Sequence, residues 1–303
     1  MLFNTHDPGK FAFSKHYYDL EDIKALTKAN PNNLSNWGII GVPFDSTSSY
    51  HSGSRLGPIA IREASNSFEK YDISYNRELI TNFYDFGDLN VVHGNCRKTS
   101  ENLEQAVDEL LSLGLFPIIL GGEHSISLSP LKSLSKEYDI NDITIVHFDA
   151  HMDMIDTYQG EKCSHATVMR RIHELSPKKI VQIGIRSASL EEDNYGLSND
   201  NIEVFTSNYL NYANEHVKDE LASINGPIYL SIDLDVFDPI YVPAVGNPIP
   251  NGISPNDMNQ LLGILTKKQI IGFDLVELST NTLGDRSAIT AAKIVYDFLT
   301  LIN

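Results

Sequence analysis

Six residues in three short segments carry the chemistry available to this chain. They are His124 in Gly-Gly-Glu-His-Ser, then Asp149, His151 and Asp153 in Asp-Ala-His-Met-Asp, then Asp233 and Asp235 in Ser-Ile-Asp-Leu-Asp. Two imidazoles and four carboxylates suit a pair of divalent cations, because carboxylates bridge and two metals sharing a hydroxide generate a nucleophile at neutral pH. Hard oxygen donors with two imidazoles and no thiolate favour Mn²⁺ over a structural zinc site. Spacing at i, i+2 and i+4 puts Asp149, His151 and Asp153 on one side of an extended chain, and Asp233 and Asp235 repeat the arrangement. A lone Asp-x-Asp is most simply a turn or a helix cap. Three such segments, each after an apolar run, point to metal.

Those apolar runs must position the ligands. Leu115–Leu120, Ile143–Phe148 and Ile228–Leu234 precede the three segments, and ligands in a parallel α/β sheet sit at the carboxyl ends of strands. Further strands are expected at Trp37–Val42, Asn82–Phe86, Lys179–Ile185, Ile202–Phe205 and Gln269–Leu275. Their near-continuous apolar character marks strands covered on both faces. Helical patterns lie between them. One runs from about Glu101 to Leu113, with Ser100 as N-cap and Gly114 as stop; others begin at Gly57-Pro58 and Ser254-Pro255, and Ala288–Leu301 closes the chain. Unbroken alternation predicts one doubly wound α/β domain over residues 36–303, preceded by a polar arm, residues 1–35, lying over the surface or a neighbouring subunit.

With 303 residues, 42% of them hydrophobic, the chain can bury a large core, and it has no apolar run long enough to cross a bilayer. The N-terminus lacks a secretory pattern. Two cysteines, Cys96 and Cys163, form no Cys-x-x-Cys pair, so free thiols and a reducing cytoplasm are expected. A net charge of −17 argues against nucleic acid, and it fits both a soluble acidic surface and a small cationic substrate.

Taken in order, the motifs resemble those of the ureohydrolases, the arginases and agmatinases. The resemblance covers nearly the whole chain from Gly38 onward. It runs through Gly41-Val42-Pro43-Phe44-Asp45, Gly53-Ser54-Arg55-Leu56-Gly57-Pro58 and the three ligand segments, then Val236-Phe237-Asp238-Pro239 and Phe273-Asp274-Leu275-Val276-Glu277. It implies an arginase-like three-layer fold with an eight-stranded parallel sheet flanked by helices, and two Mn²⁺ per subunit. One ion would take His124, Asp149, Asp153 and Asp233; the other His151, Asp149, Asp233 and Asp235. A metal-bridging hydroxide would attack a guanidinium carbon, releasing urea and a primary amine. Asp153, a carboxylate on the metal, could hydrogen-bond the hydroxide and pass its proton toward the leaving amine, while the resemblance makes Glu277 the partner of the substrate guanidinium and His165 the proton shuttle at the cavity mouth. It also implies a homo-oligomer, trimeric or hexameric.

The stretch after the Asp-x-His-x-Asp segment, Met154–Gly160, lacks the asparagine and serine pattern with which arginases hold an amino acid's carboxylate and ammonium. That points to agmatine, giving putrescine and urea, with Asp156, Glu161 and Asp285 as candidates for the far amine. Met152, Ala166 and Ile249 depart from the usual agmatinase residues. Guanidinobutyrate, arginine or formiminoglutamate are the alternatives; an anionic tail would call on Lys162 or Arg286. A non-catalytic metal-binding oligomer is the alternative from another class, and a single-zinc deacetylase site needs fewer ligands than this set. Glu123 is expected beside a ligand rather than on metal, and His147 as a hydrogen-bonded core residue.

Overall fold

The computed structural model describes residues 2–16, 20–28 and 36–302. Eight parallel strands form the centre of the sheet: β1 (Asn36–Val42), β2 (Asn82–Leu89), β3 (Phe116–Gly121), β4 (Thr144–Phe148), β5 (Lys179–Ile185), β6 (Ile202–Thr206), β7 (Pro227–Asp233) and β8 (Gln269–Val276). They lie in the order β2-β1-β3-β8-β7-β4-β5-β6, and a two-residue segment, Thr5–His6, pairs antiparallel on the outer edge of β2. Every predicted strand is present within a few residues of its expected bounds. The edge segment was not anticipated.

Nine helices accompany these strands among the described residues: α1 (Leu20–Lys28), α2 (Gly57–Ser65), α3 (Cys96–Ser112), α4 (Leu128–Leu134), α5 (Val168–His173), α6 (Leu190–Leu197), α7 (Ser207–Ser223), α8 (Pro255–Leu265) and α9 (Arg286–Leu301). Proline in the first turn starts α2 and α8, and Ser254 with Asp257 closes a reciprocal cap on α8. The third helix begins five residues before the expected Glu101, because Asn95 accepts the Lys98 N–H and caps it there. It ends as expected before Gly114, whose φ of 74° suits a left-handed stop.

Apolar side chains fill both faces of the sheet. Trp37, Phe273 and Phe298 pack on one side, and Ile40, Phe86 and Leu110 on the other. The described parts of the N-terminal arm belong to this packing: Leu2, Phe11 and Ile23 are buried. Asp85 accepts the Phe11 N–H at 2.7 Å, and buried Arg62 holds Asp85 and Asp88 together on β2. Residues 29–35 of the expected arm lie outside the described residues.

The cysteine expectation is corrected. Cys96 and Cys163 are joined, with Cα atoms 6.0 Å apart across 67 residues of sequence. Sequence distance concealed a contact that the fold creates between the start of α3 and the loop before α5.

Candidate metal centre and active site

Three strands, β3, β7 and β4, deliver the six residues to one place, and β8, between β3 and β7, brings Glu277 beside them. After β3 the chain passes Gly122, where a Cβ would lie 1.9 Å from the Phe44 carbonyl oxygen; only glycine allows this approach. Two residues on, His124 opens a short 3₁₀ turn with its ring buried. Asp149 and His151 follow β4, while Asp233 ends β7 and Asp235 lies in the next turn.

The His124 Nδ1 lies 3.2 Å from Asp149 Oδ2, 3.2 Å from Asp153 Oδ2 and 3.3 Å from Asp233 Oδ2. His151 Nδ1 lies 3.4 Å from Asp149 Oδ1 and 3.0 Å from Asp235 Oδ2. The two oxygens of Asp149 therefore face different histidines, as a bridging carboxylate must. Asp153 reaches the His124 group because its backbone leaves the extended form (φ 55°), and its carbonyl accepts the Met169 and Arg170 N–H groups that hold it there. Extended alternation alone would not have aimed it so.

Charge is crowded here. Burial opposes a charged His124, yet Asp149, Asp153 and Asp233 beside it hold its pKa well above the imidazole range. Burial likewise opposes charge on His151, whose pKa is nevertheless pushed up to about 12 by Asp235 and Asp149. Asp233 is pushed well above the carboxylate range by burial, then by the charges of Asp235 and Asp149. His124 Nδ1 is buried without an aligned hydrogen bond despite three nearby carboxylate oxygens. Donor atoms about 3 Å apart that face one another in this way are a set that a divalent cation would draw together. The donors fit divalent metal.

Beneath the ligands runs a buried polar row. Asp274 on β8, Ser231 on β7, His147 on β4 and Gln182 on β5 are register partners across four neighbouring strands. Ser231 Oγ donates to Asp274 at 2.7 Å and lies 2.9 Å from His124 Nε2, so it accepts from that nitrogen and leaves Nδ1 for the centre. His147, as expected, is a hydrogen-bonded core residue.

Glu277 follows β8 with φ 66°, accepts the His124 N–H at 2.8 Å and donates its own N–H to Gly122. Burial, then the nearby Glu123, pushes its pKa well above the carboxylate range. Glu123 stands beside the ligand, accepting from Thr47 N, Thr47 Oγ1 and Ser125 Oγ at 2.5–2.6 Å. Thr47 Oγ1, donating to Glu123, also receives the His165 N–H at 3.1 Å and lies 3.2 Å from His165 Nδ1. Ser164 Oγ lies 3.3 Å from the same nitrogen, so two hydroxyls hold the ring by Nδ1.

A cavity of about 330 Å³ opens over the centre, lined by both histidines of the cluster, Asp153, Asp233, Asp235, His165 and Glu277. Ile155, Tyr158, Ser49, Asn247, Ser189 and Glu192 are among the other residues that line it. The three acidic candidates for the substrate tail lie elsewhere. Asp156 pairs with Arg171, Glu161 faces a neighbouring hollow beside the disulfide, and Asp285 caps α9. Chain proximity to a motif was a poor guide. Glu192, which sequence reading missed, reaches the wall from α6 and accepts from Met154 N, Ser189 N and Ser189 Oγ. Its Ser-x-x-Glu spacing announced a cap, and nothing in the sequence placed that cap at the cavity.

Residues 35–300 match the Arginase family model, and the chain belongs to that family. It is a hydrolase of the ureohydrolase group. A 32.2 kDa protein from the hmfB 3′ region of Methanothermus fervidus is 48% identical over 97% of this chain and 99% of its own. The N(1)-aminopropylagmatine ureohydrolase of Thermococcus kodakarensis is 36% identical, covering 85% of this chain and 88% of its own. Among solved structures, the agmatine ureohydrolase of Thermoplasma volcanium superposes with a TM-score of 0.78 at 32% identity, covering 89% of this chain and 92% of the other.

Proposed function

We propose that this protein hydrolyses agmatine to putrescine and urea with two divalent cations, Mn²⁺ foremost. The observation that carries the substrate is the cavity lining, which includes Asp153, Asp233, Asp235, Glu192 and Glu277 and, among the described residues, no lysine or arginine. A guanidino acid would leave its carboxylate facing these groups. Lys162 points to Asp156 instead, and Arg286 opens α9 away from the cavity lining.

His124, Asp149, Asp153 and Asp233 would hold one cation, and His151, Asp149, Asp233 and Asp235 the other. When bound, the pair lowers the pKa of water to supply hydroxide and balances negative charge as it develops. Glu277 accepts parallel N–H bonds from the planar guanidinium and fixes its carbon over the centre. Asp153 takes a proton from the attacking water and passes it toward the leaving nitrogen. As the carbon–nitrogen bond to the butyl chain breaks, His165, oriented by Thr47, exchanges protons between that amine and solvent. Tyr158 and Ile155 shield the methylene chain, and Ser189 with Glu192 meets the far ammonium.

The test is urea release by metal-stripped protein reloaded with Mn²⁺, offered agmatine, N1-aminopropylagmatine, arginine and 4-guanidinobutyrate separately. Turnover of agmatine above the rest supports the proposal. Preference for the aminopropyl compound keeps the chemistry and lengthens the substrate; urea from arginine or guanidinobutyrate alone rejects the cationic-tail reading. No described helix is long and apolar enough to cross a membrane. A homo-oligomer, trimer or hexamer, completes the proposal, and light scattering checks the assembly.

A further inference from the structure

His147 and Gln182 do more than fill the core beneath the centre. Both are fully buried, on adjacent strands and in direct register. The Gln182 amide nitrogen donates to the Met152 carbonyl at 2.8 Å, which fixes which end of the amide faces that way. The same nitrogen lies 2.9 Å from His147 Nδ1 and has only protons to offer, so Nδ1 must accept. The imidazole proton is thereby assigned to Nε2, which donates to Asp149 Oδ2 at 2.9 Å. On the other oxygen, Asp149 Oδ1 accepts the His151 N–H at 2.6 Å. Each oxygen of this carboxylate thus has one lone pair tied to a group that is not itself a candidate ligand atom, the His147 ring N–H or the His151 backbone N–H. The remaining pairs face the His124 side and the His151 side respectively.

We infer that His147, locked by Gln182 as its Nε2–H tautomer, is a positioning residue that holds Asp149 in the orientation from which it can bridge two cations. The inference rests on the two-cation reading of the site and deepens it. A core histidine with merely satisfied bonds would have no such effect; replacing it and its partner with apolar residues of similar size would leave the centre unchanged.

The experiment compares wild type, His147→Gln and the double variant His147→Phe/Gln182→Leu. Glutamine can place its amide nitrogen near the position of Nε2 and keep the donor. The double variant removes the donor and its partner together, and the Met152 carbonyl loses the Gln182 N–H, a cost read in the melting of the metal-free protein. Melting of the metal-free proteins reports whether each folds. Mn²⁺ affinity, from competition with a chelator, and the electron paramagnetic resonance signal of a coupled Mn²⁺ pair report the centre. The expected result is near-wild-type behaviour for His147→Gln, and for the folded double variant a loss of roughly 10–100-fold in Mn²⁺ affinity with loss of the coupled signal. Equal affinity and the same coupled signal in wild type and double variant would overturn the inference, as would equal losses in both variants. Should the double variant not fold, His147→Leu alone is measured in its place against the same criteria. Urea release is scored separately: a wild type that binds two Mn²⁺ without hydrolysing agmatine rejects the substrate reading and leaves the affinity comparison intact.

Discussion

Glu277 shows how one side chain is shaped by its surroundings. Its left-handed backbone, its bond to the His124 N–H and its burial beside Glu123 all hold a carboxylate where a cation is wanted. Glu277→Gln keeps the shape and removes the charge. We expect unchanged Mn²⁺ content with about 3–5 kcal/mol of lost transition-state binding, a fall in kcat/KM of roughly 10²–10⁴-fold, checked by metal analysis alongside steady-state kinetics. The segments of the six candidate ligands and Glu277 stood out because each follows a strongly apolar run, and strand ends are where a parallel sheet presents chemistry, whereas His165 follows a polar loop and was marked by the resemblance alone. The pairing of His147 with Gln182 was not legible, since 35 residues separate them and only the β4–β5 register brings them together. Glu192 was hidden for a similar reason: a local capping pattern says nothing about which cavity the cap borders.

Elements were read well where local chemistry marks them. Proline and a capping serine announced α8, and continuous apolar runs announced the strands. The start of α3 was missed because its cap is an asparagine ahead of a polar first turn. On α9, Asp297 is buried beside Lys293 and its pKa is raised to about 6 by burial, against the opposing pull of Lys293. The unfolded chain loses that proton near pH 4 while the folded one retains it, so this group's contribution to stability falls as pH rises from about 4 to about 6. The difference is worth roughly 3 kcal/mol. Asp297→Asn, with Lys293 still 2.7 Å from Asp72, should remove that slope, seen as a flatter wild-type-minus-variant comparison of denaturant midpoints across those pH values. The disulfide links the head of α3 to the segment carrying His165 across 67 residues, a closure worth up to roughly 4 kcal/mol. Reduction, or Cys96→Ser with Cys163→Ser, should lower Tm by several degrees and depress activity more than Mn²⁺ content, read by calorimetry and metal analysis on the same samples.

For the whole molecule, the net charge of −17 and the acidic cavity favour a dicationic substrate from a distance. Raising salt from about 10 to about 150 mM shrinks the Debye length from roughly 30 to roughly 8 Å, and kcat/KM for agmatine should fall about tenfold if encounter limits it. A salt-independent kcat/KM would assign the charge to solubility alone. The sheet order itself follows from no single segment of sequence; alternation gave the layers, while long-range pairing chose the neighbours. One consequence lies far from the centre. Thr5–His6 covers the outer edge of β2, occupying hydrogen-bonding groups that another chain would otherwise find. Deleting residues 2–16 would leave every candidate ligand in the sequence but expose that edge as a template for pairing. The truncated protein should fail through aggregation, visible as rising light scatter at high concentration, with Mn²⁺ binding retained in its soluble fraction. The short arm thus acts as a guard on colloidal behaviour at the sheet's outer edge, separate from the chemistry at its middle strands.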